Sequence, residues 1–370
     1  MIVDIAVIGA GASAVCLLDT LARNEAVPPG GLLVFEPSPH LWRGRPYRPD
    51  ADAVLVNLPP LAMSARHGDD AHFLRWLNSG RHPLDRYQDE LLGVPMPPRA
   101  VFGDYLVETA QSALSVLRGR GWRVDTVRER VAGATPGDRL VLRDASGAEH
   151  IVDRAVLCVG TGTPRDLYGL SGAPGFVDDP YILADTLRDL DPDGDVAVIG
   201  SGLTAVDVVA ALAERGHRGH IGLLSRHGVL PAVQQRQLRF EPVQVTQDRL
   251  LALADEKGPL TLSDLVPLLA AELALSREDL PALRAELMTA TTEAPAERLG
   301  RQLKDVDAPQ RARRLLVFLV RSLGPLIMGL LSEDDVRLVK GKHFRTVSSI
   351  CAPMPPVNAG LLLTSTTAAG

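Results

Sequence analysis

The sequence predicts an α/β fold: two Rossmann-like dinucleotide-binding domains with a small antiparallel insertion and a helical insert. Three observations predict it. The N-terminus reads as strand, glycine turn, helix, strand and acid. The same order returns around Gly200. From Thr246 to Ser332 the composition becomes helical, rich in leucine and alanine with capping residues between the runs.

The first unit opens with the apolar run Ile2–Ile8 and turns through Gly9-Ala10-Gly11-Ala12-Ser13-Ala14. Gly9 permits a turn too tight for a side chain. Gly11 lets the backbone approach a diphosphate. Ala14 keeps the following helix close to the sheet, and Ser13 stands in its first turn. The helix N-terminus offers unpaired N–H groups and a partial positive charge to an anion. A second apolar run, Gly31–Phe35, closes on Glu36. That acid lies about twenty residues past the turn, where a ribose-binding carboxylate belongs. A glycine-rich turn in an ordinary α/β protein is the plainer alternative.

The chain then alternates loops and elements. Residues 37–47 hold two prolines and a glycine and read as a loop, in which Arg43 and Arg45 either meet a phosphate or are solvated. Ala53–Leu58 reads as a short strand, with Asn57 a polar contact for a flat ring system. Asp70–Gly80 reads as a helix with Phe73, Leu74, Trp76 and Leu77 on its core side. A longer helix runs from Pro98 to about Arg118. Residues 122–153 read as the antiparallel insertion, turning at Asp144-Ala145-Ser146-Gly147. Arg154–Val159 is a buried strand that runs into a loop where Gly160 and Gly162 permit close approach to a ligand.

The second unit repeats the first with one change. Val196–Ile199 is the strand, Gly200-Ser201-Gly202-Leu203-Thr204-Ala205 the turn, and Ile221–Leu224 the next strand. Gly200, Gly202, Thr204 and Ala205 take the places of Gly9, Gly11, Ser13 and Ala14. Where the first unit has Glu36, the second has Ser225-Arg226-His227. A carboxylate accepts hydrogen bonds from a ribose diol, whereas a guanidinium pairs with a 2′-phosphate. The first unit therefore suits FAD and the second NADPH; the alternative for Arg226 is plain surface exposure.

The remainder reads as helices. Leu262–Leu265 and Ser276–Asp279 resemble helix starts, and the apolar run after Arg314 is interrupted by Arg321 and Gly324-Pro325, giving a buried helix pair. The boundaries are 1–170 for the first domain, 171–245 for the start of the second, 246–335 for the helical insert and 336–370 for the rest. The insert either caps a cleft or only adds packing.

With 370 residues the chain has room for two domains, and 46% hydrophobic residues can fill their cores. A net charge of −6 gives no basic field for nucleic acid or anionic lipid. No apolar run is long enough to span a bilayer, and no signal peptide is expected. Cys16, Cys158 and Cys351 form no CxxC pair, which argues against a dithiol centre or a metal site and points to the cytoplasm. The histidines, His40, His67 and His227 among them, are scattered and form no triad. The expected partner is a small-molecule substrate; a homo-oligomer is compatible with the sequence.

With both glycine turns and the Gly160 loop in hand, the chain resembles bacterial FAD–NAD(P)-binding proteins, distantly similar to class B flavin monooxygenases and amine N-hydroxylases. Gly44-Arg45-Pro46-Tyr47, Leu55–Pro59, Pro98–Leu106 and Ser225–Gly228 carry the likeness together with the two turns. It implies that NADPH reduces a bound flavin, which then spends O₂ on placing one oxygen atom on a soft nucleophile such as an amine. An oxidase or dehydrogenase without oxygen transfer, or a non-catalytic dinucleotide-binding module, would share every one of these residues. The last strand and glycine loop that cover the flavin in that family do not appear before Gly370. The chain therefore reads as a fragment of a longer protein or as a shortened member.

Overall fold

The computed structural model describes residues 4–80, 82–162, 164–236, 241–308, 311–341 and 344–367. Ile2 and Val3, expected to open the first strand, lie outside them, as do Pro309, Gln310 and residues 368–370. The chain divides into two compact units, residues 1–88 with 95–191, and residues 89–94 with 192–370.

In the first unit, β1 (Asp4–Ile8), α1 (Ala12–Arg23) and β2 (Gly31–Phe35) form a parallel crossover unit. Helix α2 (Arg99–Gly119) leads to β3 (Arg123–Val127), and the chain later returns as β7 (Arg154–Leu157). These strands make one parallel sheet in the order β3-β2-β1-β7, with Ile8 opposite Phe35 and Leu157. Helices α1 and α2 pack on each other. Ala14, Val15 and Leu18 on α1, and Tyr105, Leu106 and Leu117 on α2, are fully buried.

One side chain closes the far end of this unit. Arg120 donates to four carbonyls, those of Leu21, Ala22, Asn24 and Val27, at 2.9–3.1 Å. The last carbonyls of a helix have no intrahelical partner, and a guanidinium there meets both their lone pairs and the negative end of the dipole. Arg120 thereby fixes how α1 hands over to β2.

The antiparallel insertion is smaller than the sequence suggests. Strands β4 (Val131–Thr135), β5 (Leu140–Asp144) and β6 (Glu149–Val152) form a three-stranded meander. Arg123–Val127 is not part of it but the outer strand of the parallel sheet. Its polar residues Arg123, Asp125 and Thr126 gave it the alternation of a half-exposed antiparallel strand, a pattern that an edge strand shares. Ala53–Leu58 likewise forms no strand, only an isolated bridge from Leu55 to Pro98. The helix expected over 70–80 is shorter, His72–Leu77, with Phe73 and Leu77 buried.

The second unit begins with β8 (Val196–Ile199), α3 (Leu203–Glu214) and β9 (Ile221–Leu224), the two strands parallel. After β9 its described elements are helices. The first three start on Thr246, Thr261 and Asp279, whose side chains accept from the backbone N–H three residues on. Thr261 with Asp264 is a full capping box, and the helix itself begins at Leu262 as expected. Leu250, Leu273, Leu283, Leu315 and Leu331 belong to one shared core. Glu272, fully buried, accepts from the backbone N–H groups of Val243, Gln244 and Val245 and so fixes the chain before the first of these helices.

The apolar run after Arg314 is one interrupted helix rather than two. Helix Arg311–Phe318 widens into a π turn at Leu319–Leu323 and resumes as Gly324–Leu330. Pro325 cannot donate to the carbonyl four residues back, which accounts for the wide turn. Among the described residues no helix is long and apolar enough to cross a membrane.

The turn between β5 and β6 makes one pH-dependent contribution. Asp144 accepts from Ser146 Oγ at 2.6 Å, His150 Nε2 at 2.8 Å and the N–H groups of Ser146 and Ala148. These bonds, the Ser146 hydroxyl first, hold its carboxyl down to about 2 from the ordinary 3.8. A depressed folded-state value gives stability that is complete above the ordinary value and is lost as pH falls through about 2. The urea midpoint of Asp144→Asn should therefore lie below that of the wild type at pH 6, and the two should converge as pH approaches 2.

Candidate functional site

The first glycine turn joins β1 to α1. Gly9 has φ +99°, and its N–H donates to Phe35 O on β2 at 2.8 Å. A Cβ at Gly9 would collide with Cys158 O, just beyond β7. Only glycine threads between the two neighbouring strands. Gly11, extended at the N-cap of α1, faces Gly44, and a Cβ on Gly11 would stand 3.4 Å from Gly44 Cα. The two backbones cross with no side chain between them. Ser13 is exposed at that end and Ala14 is fully buried beneath it.

Glu36 stands at the end of β2, tied to the turn. Oε2 accepts from Ala10 N–H at 3.0 Å and Oε1 from Ser38 N–H at 2.9 Å. A carboxylate has about four lone-pair positions, so these two bonds orient it and leave capacity for a diol.

The loop from Pro37 to Tyr47 lies over Gly11 and is clamped by α2. Arg43 ion-pairs with Asp104 and donates to Ala100 O at 3.2 Å. It is a structural clamp, not a free loop charge. Arg45 pairs with Asp179 at 2.5 Å. Gly103, in the middle of α2, is what permits the clamp, since a Cβ there would collide with Tyr47 O. Trp42 is buried with φ +70°, a left-handed conformation that costs a non-glycine residue about 1 kcal/mol or more.

Asn57 is held from the start of α2. Arg99, 9% exposed, donates to Leu55 O at 2.9 Å, Tyr181 Oη at 2.9 Å and Asn57 Oδ1 at 3.4 Å. Gly160 and Gly162 follow β7 with φ +65° and +74°, exposed, with no atom within 4 Å of a Cβ built on either.

The second turn repeats the geometry. Gly200 has φ +132° and donates to Leu224 O at 2.8 Å, as Gly9 does to Phe35. Gly202 is the extended N-cap of α3, Ala205 is buried and Thr204 exposed. The strand register makes Leu224 the counterpart of Phe35. Ser225 is thus the counterpart of Glu36, and Arg226 stands exposed one residue further on. No atom lies within 4 Å of a Cβ built on Gly200 or Gly202. A cavity of about 340 Å³ opens there, with walls from Gly202, Thr204, Ser225, His227 and, from far along the chain, Phe344 and Ser348. A second cavity, of about 490 Å³, belongs to the first unit and is walled by Cys16 and Thr20 of α1 and by residues 61–70.

Sequence reading includes Arg99 and Gly103 in the Pro98–Leu106 motif without giving either a role, and it passes over Tyr181. Gly103 did carry a signal: a glycine in the interior of a long helix costs about 1 kcal/mol against alanine and so asks for a packing reason. Tyr181 carries none, because its contact joins residues far apart in the chain.

Residues 6–162 match the family model described as FAD-NAD(P)-binding. The match runs from within β1 to Gly162 and so includes the first turn, Glu36, Arg45, Asn57 and both late glycines. Among curated protein sequences none matches the chain.

Among solved structures the chain is similar to the ornithine N-hydroxylase of Kutzneria sp. 744, solved with reduced FAD, NADP⁺ and L-ornithine. The identity is 20% over 70% of this chain and 60% of that one, with a TM-score of 0.45. The reduced ornithine hydroxylase of Pseudomonas aeruginosa gives 17% over 96% and 72%, TM-score 0.44. The cyclohexanone monooxygenase mutant of Rhodococcus sp. Phi1 bound to NADP⁺ gives 16% over 98% and 64%, TM-score 0.44. This chain spans 60% of the Kutzneria enzyme's length.

The clamp over Gly11 is open to a direct check. Gly103→Ala should destabilise the protein by about 1–3 kcal/mol in urea denaturation, because the loop or the helix must move. Gly119→Ala, where a Cβ meets nothing within 4 Å, should be neutral or stabilising by up to about 1 kcal/mol.

Proposed function

We propose that the protein is a flavin-dependent oxidoreductase that binds FAD at the first turn and NADPH at the second. Its reaction on this reading is a monooxygenation of a small metabolite, N-hydroxylation or a similar oxygen transfer. The observation that carries it is the pair of like turns with unlike endings: Glu36 after β2, and Ser225-Arg226 after β9. In each, an exposed hydroxyl (Ser13, Thr204) and the amide end of a twelve-residue helix stand ready for a diphosphate.

The residues present fit these groups. At the first turn Gly11 and Gly44 leave the space in front of α1 free of side chains, and Glu36 is already oriented by Ala10 and Ser38. At the second, the cavity beside Gly202 is open and Arg226 is exposed where a 2′-phosphate would be read. A bound flavin would supply the electron transfer from nicotinamide to O₂. The chain's own part is binding and orientation: Glu36 holding a ribose diol, Arg45 and Asn57 bordering the first site, and Gly160 and Gly162 admitting a ligand close to the backbone. The similarity of residues 6–162 to FAD-NAD(P)-binding proteins supports the first assignment.

A visible spectrum tests the reading. The purified protein supplied with FAD should show a flavin chromophore that NADPH bleaches under argon and air restores. A protein that retains no flavin, or whose flavin NADPH leaves oxidised, would overturn it.

The cofactor split has its own check. Arg226→Ala should weaken NADPH binding by about 1.5–3 kcal/mol, the worth of a charge-assisted contact, while NADH binding changes little. Equal losses for both nucleotides, measured by titration, would show that Arg226 does not read the phosphate.

A further inference from the structure

We infer that Phe344 is the stacking platform for the adenine ring of the nucleotide bound at the second turn. The inference rests on the reading of that turn as a nicotinamide-dinucleotide site. The cavity there has two ends. Gly202, Leu203 and Thr204 form the amide end of α3, where a diphosphate sits. Ser225 and His227 follow β9, the place in this fold that receives the adenosine ribose. Phe344 lines the same cavity, and the residue is 56% exposed. An exposed aromatic face beside a ribose-binding strand end suits a purine, which stacks on it irrespective of hydrogen bonding.

The ring is set there by a helix anchored on its other end. Helix Phe344–Cys351 buries Ile350 and Cys351. Its last carbonyls are left open by the sequence, because the residues four beyond Ser349 and Cys351 are Pro353 and Pro355, which have no N–H. Ala232 N–H donates to Ser349 O at 2.7 Å, and Arg321 Nε, from the π turn, donates to Cys351 O at 3.1 Å. The segment that continues from His227 thus ties down the helix that carries Phe344.

The test is a titration of the full chain with three probes: NADPH, 2′-phospho-ADP-ribose, which keeps the adenine, and reduced nicotinamide mononucleotide, which lacks it. Phe344→Ala should weaken the first two by about tenfold and leave the third unchanged, and Phe344→Trp should restore both. Wild-type protein that binds NADPH as tightly as Phe344→Ala does would overturn the stacking role alone. An equal loss for the mononucleotide would overturn it too, since the ring would then act elsewhere. If the wild type binds neither adenine-bearing probe, the dinucleotide reading of the second turn falls and this inference with it.

Discussion

The structure depends on one backbone constraint met twice: the first glycine of each turn must bring its N–H to the last carbonyl of the neighbouring strand. Gly9 does so with Phe35 and Gly200 with Leu224, both at 2.8 Å. That bond fixes where the helix starts, and the helix start fixes where an anion can be held. Everything around the first turn serves the same crossing. Cys158 O excludes a side chain at Gly9, Gly44 leaves room at Gly11, and Glu36 ties the strand end to Ala10.

The two turns share that geometry but not their surroundings. The first is crowded by its own chain: β7 on one side, and the loop over Gly11, pinned by Arg43 and Asp104, on the other. The second is open, with space beyond both glycines and a cavity whose far wall comes from residues more than a hundred positions later. A crowded turn is specific through shape. An open one must obtain its specificity from the side chains around its rim.

How much of this was legible in the sequence follows the range of the interactions. The strand–turn–helix units, the buried Ala14 and Ala205 and the start of α2 near Pro98 were legible, because each rests on contacts within a few residues. Arg123–Val127 was misplaced because an edge strand of a parallel sheet alternates like an antiparallel one. The single interrupted helix after Arg314 reads as a pair in the sequence because Gly324-Pro325 has the signature of a break, whereas a π turn absorbs it. At the site, the clamp through Gly103 and the arrival of Phe344 at the second turn were not legible. Both depend on which distant segments meet, and periodicity carries nothing about that.

The buried carboxylate of Glu272 shows what such long-range grips leave free. Its bonds to residues 243–245 are to their main-chain amides, not to their side chains. The demand it makes is therefore for a path of the chain, and any residue able to donate an amide satisfies it. Homologues can drift in identity at the exposed Val243, proline aside, without loosening the junction, whereas Val245 is also held by the core it is buried in and the acid that grips both has no such latitude.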